Sequence, residues 1–235
     1  MRALQITRVV SLTEEDEPLQ PVELPMPRPG PGEILLKVHT CGICHTELDE
    51  IEGRTPPDTY PVVPGHEVVG TVTALGDRVT DHQIGDRLGV GWIHSSTGRA
   101  DENLAAEFQA TGRDANGGYA EYMTVPSAYA IPIPASISDE QAAPLLCAGA
   151  IGYRALRLTG LTNGEPLGLT GFGGSAHIVL QLCRHLFPES RISVFARDGK
   201  SRSFAETLGA DWVGHTTEQA PEPLQAIIDT TPAWT

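Results

Sequence analysis

Proline and glycine occur so often in the first 150 residues that long helices have little room there. The chain holds 19 prolines and 25 glycines, and in this region they separate short apolar or β-branched runs. The clearest runs are 33–38, 68–75 and 119–125. Short runs of this kind between turn-forming residues are typical of β-strands. The pattern therefore predicts an all-β region from residue 1 to about residue 150.

The pattern changes near residue 139. Ser138 and Gln141 have the spacing of a capping box, which predicts that a helical stretch begins here and runs on to about Leu156. Strands and helices are then predicted to alternate: strands at 166–170, 191–195, 211–213 and 224–229, with helices at 176–186 and 201–208. Such alternation is typical of a parallel α/β sheet.

The two patterns divide the chain into a domain over residues 1–149 and a second over residues 150–235. A doubly wound dinucleotide-binding domain typically has about six strands. Only about four are predicted here, and the last of them ends at Asp229, close to Thr235. We therefore expect the second domain to be a partial one.

Charge and hydropathy restrict the partners. The formal net charge of −14 disfavours nucleic acid, because a phosphate backbone would be repelled. No apolar run approaches the ~20 residues of a membrane-spanning helix, and the first residues lack a secretory signal. We therefore expect no membrane partner and a cytoplasmic, reducing location, where the four cysteines are core residues or metal and catalytic groups.

Three separated segments carry the side chains that zinc prefers. Cys41 and Cys44 form a CxxC, which alone fits a redox pair, a zinc knuckle or coincidence. His66 follows in a Pro-Gly-His-Glu segment, and Cys147 lies at the transition to helix. Two thiolates and an imidazole suit a catalytic zinc with an open fourth position. The alternative is that they are buried cysteines and a core histidine.

Five segments appear in the order found in one enzyme family. They read CGICHTEL at 41–48, PGHEVVGTVTALG at 64–76, GDRLGVGW at 85–92, GGYAEY at 117–122 and LLCAGAIGYRAL at 145–156. The chain thus resembles the zinc-containing medium-chain alcohol dehydrogenases over nearly its whole length. The resemblance implies a GroES-like β-barrel catalytic domain followed by a partial Rossmann domain, and a reaction between a primary alcohol or aldehyde and a nicotinamide cofactor.

The same resemblance implies a set of metal ligands. One catalytic Zn²⁺ would be held by Cys44, His66 and Cys147, with Glu67 able to enter the zinc shell transiently and Cys41 not a ligand. The metal would act as a Lewis acid toward the alcohol.

Residues that follow the first ligands would orient the site and move the proton. Thr46 would accept the alcohol proton into a relay, and Asp49 occupies the position where the relay often ends on a histidine. Glu47 would orient the ligating histidine where the family usually has Asp. Trp92 resembles a residue that lines the substrate pocket, although a buried barrel tryptophan is an equal alternative. Ile151 replaces a polar residue that contacts the nicotinamide amide.

A second, structural zinc is excluded by the sequence. Relatives usually hold it with four closely spaced cysteines after the GVGW segment, but Thr97 and Ala105 stand at two of those positions. No cysteine occurs between Cys44 and Cys147.

A glycine-rich turn between a predicted strand and a predicted helix indicates a dinucleotide site. Its residues are Gly171, Phe172, Gly173, Gly174, Ser175 and Ala176. The glycines would allow the tight turn and the close approach of a pyrophosphate to a helix N-terminus. Ala196 stands where NAD enzymes carry an acidic residue, and Arg197 beside it, with Arg202 nearby, suits a 2′-phosphate, which favours NADP(H) over NAD(H). The alternative is that Asp198 binds NAD(H).

Two other interpretations remain open at this point. The chain could be a catalytically incompetent fragment that keeps zinc binding and a partial nucleotide fold. A zinc-free quinone reductase is disfavoured, because those relatives lack the Cys/His/Cys set. A homo-oligomer is possible, although the edge through which the family usually dimerises is expected to be missing.

Overall fold

The computed structural model describes residues 1–231. The chain folds as two compact units, Met1–Cys147 and Ala148–Thr235. The boundary expected from the sequence lies after residue 149, and residues 232–235 lie outside the described part. Each unit is treated by itself below.

The first unit consists mainly of short strands. They are β1 (Arg2–Gln5), β2 (Gln20–Glu23), β3 (Glu33–Cys41), β4 (Val68–Leu75), β5 (Arg87–Val90), β6 (Ile93–Ser95), β7 (Gln109–Ala110), β8 (Tyr122–Pro126) and β9 (Ala130–Pro132). The α-helices are α1 (His45–Ile51) and α2 (Asp139–Ala142), and short 3-10 turns cover Glu102–Leu104, Ser127–Tyr129 and Ala143–Leu146. The strands predicted at 33–38, 68–75 and 119–125 correspond to β3, β4 and β8.

A five-stranded antiparallel sheet in the order β8-β3-β4-β5-β9 forms the centre of this unit. Ile34 and Leu36 on β3, Val72 on β4, Leu88 on β5 and Val125 on β8 belong to one buried cluster. Alternate residues of β8 are buried, as expected for a strand with one face on a core. Two-stranded sheets β1-β2 and β6-β7 complete the unit.

The all-β prediction for this unit is wrong at α1. Cys44 is the N-cap of α1, and the carboxylate of Glu47 accepts a hydrogen bond from the Cys44 N–H at 2.7 Å. This arrangement satisfies backbone donors that the first turn of a helix leaves free. Only residues 42–44 separate β3 from α1, and the second cysteine of the CxxC is the N-cap of the helix.

The helical stretch predicted from residue 138 to residue 156 is broken at Cys147. The capping box is confirmed, since Ser138 Oγ accepts from the Gln141 N–H and the Gln141 side chain accepts from the Ser138 N–H. The helix α2 passes into a 3-10 turn that ends before Cys147, whose backbone angles (φ −120°, ψ −78°) are not helical. This break gives Cys147 a direction that a continuous helix would not.

Hydrogen bonds hold together the loop at 96–102, the segment in which the sequence excludes a structural zinc. Glu102 Oε2 accepts from the Tyr129 hydroxyl and from the Gly98 N–H, each at 2.9 Å. Ser96 donates its N–H to the Tyr129 oxygen at 2.9 Å and its hydroxyl to the Glu102 carbonyl at 2.8 Å. The shortened loop is therefore tied to the 3-10 turn at Ser127–Tyr129 without thiolates.

The second unit is an α/β sheet. It contains α3 (Ala148–Leu158), β10 (Leu167–Thr170), α4 (Ala176–Leu186), β11 (Ile192–Phe195), α5 (Gly199–Thr207), β12 (Trp212–Gly214) and β13 (Ala226–Asp229). All strand pairs are parallel, in the order β12-β11-β10-β13. The predicted alternation and the predicted four strands are confirmed. The core lies around β10 and α4, where Leu167, Leu169, Val179 and Leu180 are fully buried.

No helix among residues 1–231 combines the length and the apolar character that a membrane crossing requires.

Replacing Leu169 with Ala tests the core of the second unit. Leu169 is 0% exposed on β10, so its truncation removes apolar contacts and leaves a cavity. We expect a loss of about 2–5 kcal/mol in the free energy of unfolding, measured by urea denaturation. Leu158→Ala is the matched control, because this leucine is 76% exposed on α3 and should change the free energy little. Equal losses for both variants would contradict the assigned core.

Candidate metal and cofactor sites

Four donor side chains converge in the first unit. One ligand atom from each of Cys44, His66, Glu67 and Cys147 lies within 4.8 Å of those of the other three. Cys44 precedes α1, His66 and Glu67 precede β4, and Cys147 follows a 3-10 turn. The Cys147 Sγ lies 3.8 Å from the Cys44 Sγ and 3.3 Å from the His66 Nε2. All three ligands expected from the sequence are brought together, and Cys41 is not part of the cluster.

One carboxylate holds two of these segments in place. Glu47 Oε1 lies 2.8 Å from the His66 Nδ1, and both side chains are almost fully buried. Its other oxygen accepts the Cys44 N–H that caps α1. The contact with Nδ1 leaves the Nε2 of His66 directed at the thiols. This is the orienting arrangement that metal-bound histidines usually have.

The pKa values of Cys44, Cys147 and His66 shift in different directions because their side chains are hydrogen-bonded to one another. Hydrogen bonding to Cys147, and further to His66, lowers the pKa of Cys44 to about 3. The same bond to Cys44, together with burial, raises the pKa of Cys147. Burial lowers the pKa of His66, but hydrogen bonds to Cys44 and Glu47 outweigh it and raise the value to about 10. The negative charge of the Cys44 thiolate is thus compensated by protons on Cys147 and His66. A bound dication would replace these protons.

The donor set fits zinc better than a hard cation. Two sulfurs and one imidazole nitrogen are the ligands of zinc sites, whereas Mg²⁺ and Ca²⁺ take oxygen ligands. The fourth donor, Glu67, is 5% exposed, and burial and the charge of Cys44 raise its pKa to about 7. A Cβ at position 42 would collide with the Glu67 carboxylate, so the close approach requires Gly42.

The two residues expected to move protons differ in their surroundings. The Thr46 hydroxyl oxygen lies 3.5 Å from the Cys44 Sγ, next to the donor cluster. Asp49 Oδ1 instead accepts from the Arg54 Nε at 2.5 Å and lies 3.8 Å from the His45 Nε2. Among the described residues, no hydrogen bond joins Asp49 to Thr46. The role of Asp49 at the end of a relay stays a prediction.

An aromatic and cationic group lies beside His66. The Trp92 ring meets the His66 ring edge to face, with 4.9 Å between centroids. The Arg113 guanidinium lies 5.5 Å from the Trp92 ring and 5.9 Å from the Phe108 ring. Sequence reasoning identified Trp92 alone, because nothing local in the sequence marks Phe108 or Arg113 as its neighbours.

The glycine-rich turn of the second unit has the form expected of a pyrophosphate site. Gly171 follows β10 with φ +75°, a left-handed conformation that favours glycine. Added Cβ atoms at Gly173 and Gly174 would meet nothing within 4 Å, so the backbone is accessible there. Ala176 begins α4, and its N-cap Ser175 makes no side-chain capping bond. In the first turn of α4, the His177 and Ile178 N–H groups donate to the Gly173 and Ser175 carbonyls at 3.4 and 3.1 Å, so an anion would be met mainly by the accessible backbone of the glycine turn.

The residues expected to contact the ribose of the cofactor lie just after β11. Arg202 donates from Nη1 to the carbonyls of Ala196 and Arg197 at 2.7 and 2.8 Å. Asp198 is the N-cap of α5, and its carboxylate accepts the Ser201 N–H at 2.8 Å. Arg197 is exposed. The carboxylate that would bind NAD(H) is therefore already engaged, whereas the Arg197 side chain is accessible.

Comparisons with known proteins agree with this geometry. Residues 30–135 match the alcohol dehydrogenase GroES-like domain. A probable alcohol dehydrogenase of Mycobacterium tuberculosis is 44% identical over 90% of this chain and 64% of its own length. A cinnamyl alcohol dehydrogenase structure from Sorghum bicolor has a TM-score of 0.86 and 30% identity, covering 100% of this chain and 70% of that one. The chain belongs to the medium-chain alcohol dehydrogenase family.

Family membership confirms the expected fold class, a GroES-like domain followed by a partial Rossmann α/β domain. A Helicobacter pylori family structure complexed with NADP(H) has a TM-score of 0.86 and 27% identity, covering 98% of this chain and 69% of that one. The chain spans 60–64% of the length of the two curated relatives it matches first, the second being an alcohol dehydrogenase of Geobacillus stearothermophilus at 37% identity over 84% of this chain.

Glu50 is a buried carboxyl group that sequence reasoning missed. It lies on α1 one turn after Glu47 and is 0% exposed. Neither of its carboxylate oxygens has a hydrogen-bond partner within residues 1–231. Burial, and then repulsion from Glu47, raise its pKa from 4.5 to about 8. The spacing from Glu47 would have placed it on the buried face only if α1 had been predicted.

Glu50→Gln should change how stability depends on pH. The folded chain keeps a proton that the unfolded chain releases, so stability falls as pH rises from 4.5 through about 8. The variant lacks this loss. We expect the melting temperature of metal-free Glu50→Gln, relative to the wild type, to rise steadily between about pH 5 and about pH 8.5. Glu14→Gln, at an exposed position, is the control. A difference that does not vary with pH would refute a protonated Glu50.

Proposed function

We propose that this chain binds one zinc ion through Cys44, His66 and Cys147 and serves the interconversion of primary alcohols and aldehydes with a nicotinamide cofactor. The observation that carries the proposal is the convergence of two thiols and an oriented imidazole from three separate segments. When bound, the zinc supplies Lewis acidity toward the substrate oxygen. Glu67, the fourth donor, occupies the position that can exchange with substrate.

The chain's own residues orient the reactants and handle the proton. Glu47 fixes the tautomer and direction of His66. The Thr46 hydroxyl would accept a hydrogen bond from a substrate hydroxyl, and its position beside Cys44 supports this role. Because Asp49 is engaged by Arg54, we propose that a proton leaving the Thr46 hydroxyl passes to solvent rather than to Asp49.

The second unit would hold the cofactor. The open glycine turn before α4 suits a pyrophosphate, which supports a dinucleotide. Arg197 is accessible while Asp198 caps α5, and this supports NADP(H) over NAD(H). An arginine forms charge-assisted hydrogen bonds with the 2′-phosphate that NAD(H) lacks.

Metal analysis with matched cysteine variants tests the zinc site. We expect about one zinc per chain in the wild type, as for a single catalytic site. Cys147→Ser should lose most of it, because the cluster loses one of its two thiolates. Cys183→Ser should retain it, since Cys183 lies in the core of the second unit. Equal zinc content in both variants would refute the ligand assignment.

Turnover distinguishes the enzyme from the alternative. Oxidation of primary alcohols with NADP⁺ by the zinc-loaded chain would support the proposed function. A zinc-loaded, folded chain without turnover would support a metal-binding fragment that lacks activity.

The cofactor assignment depends on Arg197. Replacing it with Ala removes the charge-assisted bonds, so the preference for NADP(H) over NAD(H) should fall about 10- to 100-fold. Dissociation constants from fluorescence titration measure this without turnover. Arg157→Ala, an exposed arginine on α3, is the control. An unchanged preference in Arg197→Ala would overturn the assignment.

A further inference from the structure

Trp92 is packed between groups on more than one side. Its ring edge meets His66, its neighbour Phe108 lies 6.3 Å away between centroids, and Arg113 lies over it at 5.5 Å. Trp92 remains partly exposed. The Trp92 ring therefore packs against one side of the donor cluster formed by Cys44, His66, Glu67 and Cys147, and part of the ring remains accessible.

The Arg113 side chain is fixed before it contacts Trp92. Its Nε and Nη2 donate to the two carboxylate oxygens of Asp114 at 2.9 and 2.8 Å. Asp114 also accepts the Ala110 N–H at 2.7 Å, and the Thr111 N–H donates to the Trp92 carbonyl at 2.9 Å. The turn that carries Arg113 is thus bonded to the backbone of Trp92 itself. A planar guanidinium held on one edge presents its face for stacking.

The surroundings of Arg113 argue against a role as a receptor for an anionic substrate. Asp114 already pairs with it in a bidentate manner, and Asp58 is near enough for its charge to act on it. A further anion would compete with these carboxyl groups. What remains available is the stacking face, and Trp92 and Phe108 lie against it.

We propose that Arg113 is a positioning residue that holds the Trp92 ring against His66 and thereby limits the width of substrate that fits beside the metal ligands. This inference rests on the proposed function, because it takes the space next to Trp92 as the substrate side of the site. The substrates admitted would be slim, unbranched primary alcohols and aldehydes. Without Arg113 the ring could turn and admit bulkier ones.

The emission of Trp92 reports its packing without catalysis. The chain has three tryptophans, so Trp212→Phe with Trp234→Phe leaves Trp92 as the single tryptophan, whose emission can be excited apart from that of the tyrosines. In this background, Arg113→Met removes the charge while keeping an apolar stem, and Arg113→Lys keeps the charge. Arg28→Met, at an exposed arginine, is the matched control. Zinc content of each variant shows that the site is intact.

We expect Arg113→Met to lower the emission anisotropy of Trp92 and raise its quenching by acrylamide, with Arg113→Lys in between and Arg28→Met unchanged. Binding of propan-1-ol and of 2,2-dimethylpropan-1-ol to the zinc-loaded chain is followed by the same emission. The preference for the slim alcohol should fall about 3- to 10-fold in Arg113→Met, the range expected for losing one cation–π contact. In turnover, the change should appear in KM and not in kcat, since Arg113 does not touch the reacting atoms.

Unchanged anisotropy and an unchanged preference in zinc-replete Arg113→Met would overturn the inference. An equal effect in Arg28→Met would do so as well. If Arg113→Met loses its zinc, Asp114→Asn decides in its place, because it loosens the guanidinium without removing its charge and should give the same direction of change. Absence of turnover by the wild-type chain would count against the proposed function alone, since emission and binding do not need catalysis.

Discussion

The contact between Glu47 and His66 is the interaction on which the metal cluster depends. One oxygen of Glu47 lies 2.8 Å from the His66 Nδ1, and the other caps α1 through the Cys44 N–H. The same side chain therefore fixes the direction of the imidazole and the start of the helix that carries Cys44. Removing it would leave a buried ring without an orienting partner and a helix terminus without its cap. The carboxylate of Glu47 thus fixes the orientation of both His66 and Cys44.

Much of the fold could be predicted because its patterns are local. A few consecutive residues are enough to predict β4, the capping box at Ser138 and the helix α4. The two errors have different causes: α1 is capped locally, but from a cysteine, which is not a preferred N-cap residue, whereas at Cys147 a tertiary contact overrides the helical pattern. The helix α1 is short and needs the Glu47 cap, and a continuous helix past Cys147 would not present its thiol to His66 in the same way.

The convergence of the donor side chains was predictable for a different reason, since the family motifs preserve their spacing and side-chain type. The residues that support them were not. Arg113 is 21 positions from Trp92, Glu102 is 27 from Tyr129, and only the folded sheet brings each pair together. Glu50 looks like an ordinary solvated acid between Asp49 and Ile51. Its burial became visible only once α1 was known. Sequence motifs therefore identify the donors, while the fold identifies what surrounds them.

The charges around the site explain why a neutral Glu50 and a fixed Arg113 belong together. A zinc ion bound by two thiolates would be formally neutral, so any further carboxylate charge in this buried region would be uncompensated. A second ionised carboxylate at Glu50 would add to it, and burial keeps that group protonated. The nearby guanidinium of Arg113 supplies positive charge, but Asp114 balances it. The Arg113 guanidinium, paired with Asp114, can therefore stack on Trp92 beside His66 while Glu50 stays protonated, because Arg113 lowers the pKa of Glu50 less than burial raises it.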